Sequence, residues 1–161
     1  MNKRVIVVGA GAAGLMAAGR AAELGADVLL IEKMREAGKK ILVSGKERCN
    51  LSNAAPIEKF LAHYGRQGQF LRNAYYRFFR DELLALLARY GVETQVERGG
   101  RIFPTSGEAA EVRNALVRYV TQHGAEIRYL TEVHRIWVEG GVVKGVLLWS
   151  GEQLPADAVI V

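Results

Sequence analysis

The feature that most limits how this chain can fold is the run from Val5 to Glu32. An apolar, β-branched stretch, Val5-Ile-Val-Val8, is followed by Gly9-Ala-Gly11-Ala12-Ala13-Gly14, by an Ala/Leu-rich segment to Leu24, and by Gly25 and Asp27-Val-Leu-Leu-Ile31-Glu32. The first stretch does not alternate, as expected of a strand buried on both faces of a parallel sheet. Leu15 to Leu24 are good helix formers, and Gly25 stands where a helix ends on a left-handed residue. A lone G-x-G-x-x-G is weak evidence, because a tight turn alone accounts for it. Here the motif follows a strand, opens a helix, and is answered by an acidic residue closing the second strand, 18 positions after Gly14. Gly9 allows the tight turn, Gly11 lets backbone approach a pyrophosphate, and Gly14 lets the helix pack closely on the strand. The first amides of the helix, at Ala12 and Ala13, then face a diphosphate with partial positive charge. Glu32 is expected to accept hydrogen bonds from a ribose hydroxyl, and its charge disfavours a 2′-phosphate, hence NADP, at this site. The run reads as a dinucleotide-binding βαβ unit.

Composition narrows the class. A chain of 161 residues fits one domain, and half of them hydrophobic with 24% charged excludes a disordered chain. One cysteine, Cys49, forms no internal disulfide, and His63, His123 and His134 lack metal-site spacing, so a reducing cytoplasm and no metal are expected. The net charge of +5 favours anionic partners without naming a class. Lys3 and Arg4 before an uncharged run to Gly19 mimic a signal peptide, but Gly9, Gly11 and Gly14 break that run and 15 residues are too few to span a bilayer. No membrane association is expected.

A plain NAD-binding unit returns to its sheet soon after Glu32. Here the next strand that does so is Glu126-Ile-Arg-Tyr-Leu130, after about ninety residues, far more than an ordinary connection. Covering a larger cofactor, FAD, supplies a reason for such an insertion. The stretch Gly38-Lys-Lys-Ile-Leu-Val-Ser-Gly-Lys-Glu-Arg-Cys-Asn50 with Asn53, the Glu32-Lys33 pair and Gly100-Arg-Ile-Phe-Pro104, taken with Gly9 to Gly14, resemble the aminoacetone oxidase family of FAD-binding enzymes, the BaiN/YhiN-like bacterial flavoproteins. The resemblance runs through essentially the whole chain.

It implies a Rossmann-like α/β fold of three layers, a parallel sheet with an antiparallel meander, carrying a helical insertion at about residues 38–104. It also implies that the carboxyl-terminal part of the full fold is missing, since Ala156 to Val161 look like the strand that precedes the family's Ala-Thr-Gly-Gly segment. The cofactor-binding residues implied are Lys33, Lys40, Arg48, Cys49, Asn50 and Val133, beside those of the βαβ unit. Arg48 can steady a phosphate or an anionic flavin, Asn50 can hydrogen-bond ring edges, and Val133 marks where main-chain groups meet adenine. Cys49 reads as a small buried hydrophobe rather than a nucleophile. Lys39 and Lys40 can neutralise the diphosphate or simply be solvated. Where the family has two glycines this chain has Lys46 and Glu47, which would strain the loop if those positions need positive φ.

Elsewhere, residues 56–90 read as helical, with Phe79, Leu83, Leu86, Leu87 and Tyr90 on one face. Glu93 to Val96 and Arg101 to Phe103 read as short strands. Thr105 with Glu108 reads as a capping box for a helix to about Gln122, ended by Gly124. Val133 to Val138 and Val142 to Trp149 read as a hairpin, and Asp157 begins a last parallel strand. The arginines between Arg66 and Arg101 interleave with Asp81, Glu82, Glu93 and Glu97 and read as a solvated face, so no nucleic-acid partner is expected. The expected activity is that of an FAD-dependent oxidoreductase acting on a small molecule, with NAD(P)H a candidate electron donor and no catalytic acid or base assignable. These 161 residues alone are expected to be inactive. A tRNA-modifying flavoprotein and a non-catalytic FAD- or NAD-binding module are the alternatives.

Overall fold

A computed structural model describes residues 2–161, which divide into two compact units. The first joins the chain up to Leu42 to Arg113–Val161, and the second is Val43–Val112.

The first unit opens with β1 (Arg4–Val8), α1 (Ala12–Glu23) and β2 (Asp27–Ile31). The short helix α2 (Lys39–Val43) follows. After the second unit come the rest of α6 (Ala109–Gln122), then β6 (Glu126–Arg128), β7 (Val133–Glu139), β8 (Val142–Leu148), β9 (Gln153–Pro155) and β10 (Ala158–Ile160). A parallel sheet has the order β10-β1-β2-β6, with Val7 opposite Leu30 and Ile160, and Leu30 opposite Ile127. Val28 to Ile31 are all buried, which is why β2 shows no alternation. Leu30 points toward α1, lying 3.7 Å from where a Cβ on Gly14 would sit. Leu29 and Ile31 point the other way and pack with Ile6, Val146 and Leu148 under the antiparallel sheet β7-β8-β9. Helix, parallel sheet and meander are the three layers expected. Each fully buried Leu, Ile or Val contributes about 1.5–3 kcal/mol, so this inner seam holds the site-bearing sheet flat against its meander.

The second unit contains β3 (Ser52–Asn53), α3 (Ile57–Ala62), a 3-10 turn (Gly65–Gln67), α4 (Gly68–Arg77), α5 (Arg80–Arg89), β4 (Thr94–Val96) and β5 (Arg101–Pro104). Its sheet is antiparallel in the order β3-β5-β4. The stretch read as one helical region is three helices. Gly65 takes φ +55, and Phe78 and Phe79 are extended at φ −153 and −120. The Glu82 carboxylate accepts the Phe79 N–H at 2.9 Å and starts α5 there. The capping box assigned to Thr105 is also corrected. Ser106 Oγ accepts the Glu108 N–H at 3.2 Å and donates to Glu111, so the helix begins at Ala109. The last α6 turn closes on Gly124 as expected, at φ +82. Strands β3 and β9, of two and three residues, were not foreseen.

Candidate functional site

In the first unit the chain leaves β1 at Gly9, whose φ of +92 lets its N–H donate to Ile31 O at 2.7 Å. A Cβ on Gly14 would lie 1.8 Å from Gly9 O, so the helix start sits on the strand end at a distance only glycine permits. Gly11 differs: its φ is −74, and a Cβ there would meet nothing within 4 Å. It is the N-cap of α1, with no side-chain cap and no acidic residue in the first turn. The amides of Ala12 and Ala13 therefore start a 12-residue helix with open space in front of Gly11, which fits a diphosphate.

Glu32 is buried, 9% exposed. One carboxylate oxygen accepts the Ala10 N–H at 2.7 Å and the other the Met34 N–H at 2.8 Å. The backbone around it is equally fixed, with Glu32 N–H on Arg128 O and Thr131 N–H on Glu32 O. Each carboxylate oxygen keeps a second lone pair, so a ribose hydroxyl can still donate to it. Gly38 N–H on Ala10 O, 2.7 Å, ties the following loop to the glycine turn. Lys33 reaches Glu132 at 4.0 Å, Lys39 and Lys40 are exposed on α2, and Val133 is half-buried at the start of β7.

A cavity of about 380 Å³ is lined by Lys33, Met34, Arg35, Glu36, Lys39 and Leu130. The sequence reading missed Leu130, an exposed residue held at φ +52 with its N–H on Met34 O. A leucine carries no signal for a left-handed position. Arg113 was missed too. It packs at Gly38, where a Cβ would come within 2.6 Å of Arg113 Cγ, and it reaches Glu36 at 3.5 Å. Nearby, burial pushes the Tyr129 hydroxyl up, Arg113 opposes that, and Glu32 adds to it.

The second unit carries Arg48, Cys49 and Asn50. Gly45, Lys46, Glu47 and Cys49 all take positive φ, at +58, +58, +66 and +59. The condition set for strain at Lys46 and Glu47 is met. Arg48 forms an ion pair with Glu97 and lies over the Phe103 ring, 4.4 Å from its centre. The Asn50 amide nitrogen faces Ser52 O at 3.0 Å and Ile102 O at 3.2 Å, joining the loop to β3 and β5. Cys49 is buried, and burial pushes its thiol up while a hydrogen bond with Ser44 pulls it partly back. A thiol held protonated in this way is poorly suited to nucleophilic attack.

Among the described residues no cluster of His, Cys, Asp and Glu could hold a metal, and no helix is long and apolar enough to cross a membrane.

A family model described as the HI0933-like protein Rossmann domain matches residues 3–161. A 3-dehydro-bile acid delta(4,6)-reductase of Clostridium scindens is 34% identical over 161 residues, covering 98% of this chain and 38% of its own. A ribosomal RNA dihydrouridine synthase of Haemophilus influenzae is 33% identical over 132 residues, covering 81% of this chain and 32% of its own. The chain thus spans about a third of the length of these curated relatives. Among solved structures, CtdE in complex with FAD and a substrate aligns with 98% of this chain and 37% of its own, at a TM-score of 0.54 and 21% identity. That likeness shows a common fold.

Proposed function

The chain belongs to the HI0933-like Rossmann-domain family, and from that premise we propose that it is the FAD-binding part of an oxidoreductase that reduces a carbon–carbon double bond conjugated to a carbonyl. The cofactor is FAD. The observation that carries the reading is the cradle of Gly9, Gly11 and Gly14 with Glu32 held at its rim, which fits a diphosphate and a ribose together. The choice of reaction is supported by the relatives' names, a delta(4,6)-reductase and a dihydrouridine synthase, which both describe hydrogen added across a double bond. FAD, when bound, supplies two-electron chemistry, with NAD(P)H as the proposed donor. The chain's own part is to bind and orient. The α1 amides receive the diphosphate, Glu32 receives a ribose hydroxyl, and Lys33, Lys40 and the main chain at Val133 complete the adenosine side. A cytoplasmic location belongs to the same proposal. So does the narrower placement in the aminoacetone oxidase group, which rests on residues 38–50 with Asn53, together with Gly9 to Gly14, Glu32-Lys33 and Gly100 to Pro104.

The test is anaerobic. The purified complete oxidoreductase of which this chain is part should show visible flavin absorbance that NADH or NADPH bleaches and that an enone restores, while the saturated ketone does not. Protein that retains no FAD on reconstitution refutes the cofactor reading. Recovery in air with no response to any enone refutes the choice of reaction.

A further inference from the structure

Arg113 stands on α6 beside Val112, Ala115 and Leu116, all buried. Its own side chain is 24% exposed, and its buried Nε has no hydrogen-bond partner among the described residues. A buried donor left unpaired costs free energy that an apolar side chain of the same length would not. Packing alone would therefore place an apolar residue here, as it does at the neighbouring positions. What the guanidinium does instead is visible at the two ends of the side chain.

The stem lies against Gly38, where a Cβ would come within 2.6 Å of Arg113 Cγ and 3.6 Å of Arg113 Cβ. The head reaches the Glu36 carboxylate at 3.5 Å. One side chain thus grips both ends of the bend from Glu36 to Gly38, whose last residue is buried at φ +70. That bend is tied in series to the ribose acceptor. Gly38 N–H donates to Ala10 O at 2.7 Å, and Ala10 N–H donates to one Glu32 carboxylate oxygen at 2.7 Å. Lys33 to Glu36, leading into the bend, line the cavity of about 380 Å³. The half-buried Tyr129 hydroxyl feels the charges of both Arg113 and Glu32, so the two groups lie near one side chain.

The geometry points to Arg113 as the positioning residue for the ribose acceptor: it sets the 36–38 bend against the Ala10 peptide and, through that peptide, aims the Glu32 carboxylate. The inference rests on the FAD reading, which gives Glu32 a ribose to receive. The Met34 N–H holds the other carboxylate oxygen, so loosening the Ala10 side lets the carboxylate swing about its remaining anchor. With Nε buried and the head paired to Glu36, Arg113 acts through Glu32 and not on FAD itself.

The experiment is a double-mutant cycle on FAD affinity, read by flavin fluorescence quenching when the apoprotein of the complete oxidoreductase is reconstituted, with thermal unfolding of each variant alongside. R113M keeps the stem and removes both the head and the unpaired donor. Its FAD affinity should fall about tenfold. Its Tm should stay within about 2 °C of the parent, because relief of the buried donor offsets the small loss of a pair with half-exposed Glu36. R113K, which restores a cation opposite Glu36, should recover most of the affinity. R113M/E32Q should bind FAD no more weakly than E32Q alone. Hydrogen exchange over residues 33–38 of the apoprotein should be faster in R113M and return to the parent rate in R113K. The proposal is overturned by R113M protein that binds FAD like the parent, by R113M and E32Q effects that simply multiply, or by a loss of affinity matched by a proportionate fall in Tm, which marks a structural role. A parent that takes up no FAD refutes the cofactor reading itself, and the role of Arg113 falls with it.

Discussion

Replacing Lys46 and Glu47 together by glycine should stabilise the protein, although it adds two residues that are usually destabilising. Both side chains sit in the left-handed region, at φ +58 and +66. That conformation costs a residue with a Cβ about 1–2 kcal/mol. Glycine removes the clash but loses more freedom on folding, about 0.5–1 kcal/mol. The net gain spans about 0–1.5 kcal/mol at each site, with a midpoint of about 0.75 kcal/mol and hence about 1.5 kcal/mol for the pair. For a chain of this size 1 kcal/mol corresponds to about 2–4 °C, so Tm should rise by about 3–6 °C at that midpoint. The contact that Glu47 makes from its backbone, O accepting Ala109 N–H at 3.1 Å, survives the change. Two controls separate backbone from side chain. Lys46→Ala with Glu47→Ala removes the charges but keeps the strain, and should leave Tm nearly unchanged. Gly45→Ala, in the same loop, would place a Cβ 2.6 Å from Asn50 N and should destabilise. Thermal unfolding followed by circular dichroism reads all three. An alanine pair as stabilising as the glycine pair, or a glycine pair that lowers Tm, refutes the reasoning.

Gly14→Ala should shift the urea midpoint down by at least about 2 kcal/mol equivalent at constant m and weaken FAD binding, because its Cβ would strike Gly9 O and lift the helix start off the turn. Glu32→Ala removes two buried amide acceptors at about 1–2 kcal/mol each, so it should lower stability and weaken FAD binding more than Lys39→Ala does; equal FAD affinities in a titration would show the ribose contact misplaced. The Cys49 thiol is raised above its ordinary value by burial, so the native state keeps its proton longer than the unfolded chain. Its contribution is complete below the ordinary thiol pKa of about 8.5 and declines as pH rises above it. Cys49→Ala should flatten that part of the stability profile, and iodoacetamide should alkylate the native thiol more slowly than the denatured one; equal alkylation rates would exclude the burial argument.

Gly9, Gly14 and Glu32 were legible in the sequence because each answers a local demand, a positive φ, a close approach, or an acceptor closing a strand. The parallel strands were legible for a similar reason, since burial on both faces leaves an unbroken apolar run. The helical stretch 56–90 carried the right periodicity but not its breaks. Nothing in Phe78-Phe79 itself announces an extended pair; Glu82, three residues on, caps the Phe79 N–H, and Phe79 packs on Phe60 and Tyr75. The Thr105–Glu108 box failed because Ser106, one residue on, competes for the same role. Strands β3 and β9 are too short to show alternation and exist through their partners β5 and β8. At Arg48 and Asn50 the residue types were legible, but their use in holding Glu97 and two backbone carbonyls depends on contacts distant in sequence.

Glu32 is pinned at both oxygens by amides from two different loops, Ala10 and Met34. An acceptor fixed in this way would not have to be immobilised to receive the ribose proposed for it, so that affinity would be preorganised by the fold. The same anchoring couples the two quantities usually measured apart: a change that loosens the 33–38 loop also moves the carboxylate that the proposed site uses. Variants in that loop should therefore trace one line when FAD affinity is plotted against folding stability, with position on the line set by how firmly the Met34 amide is held.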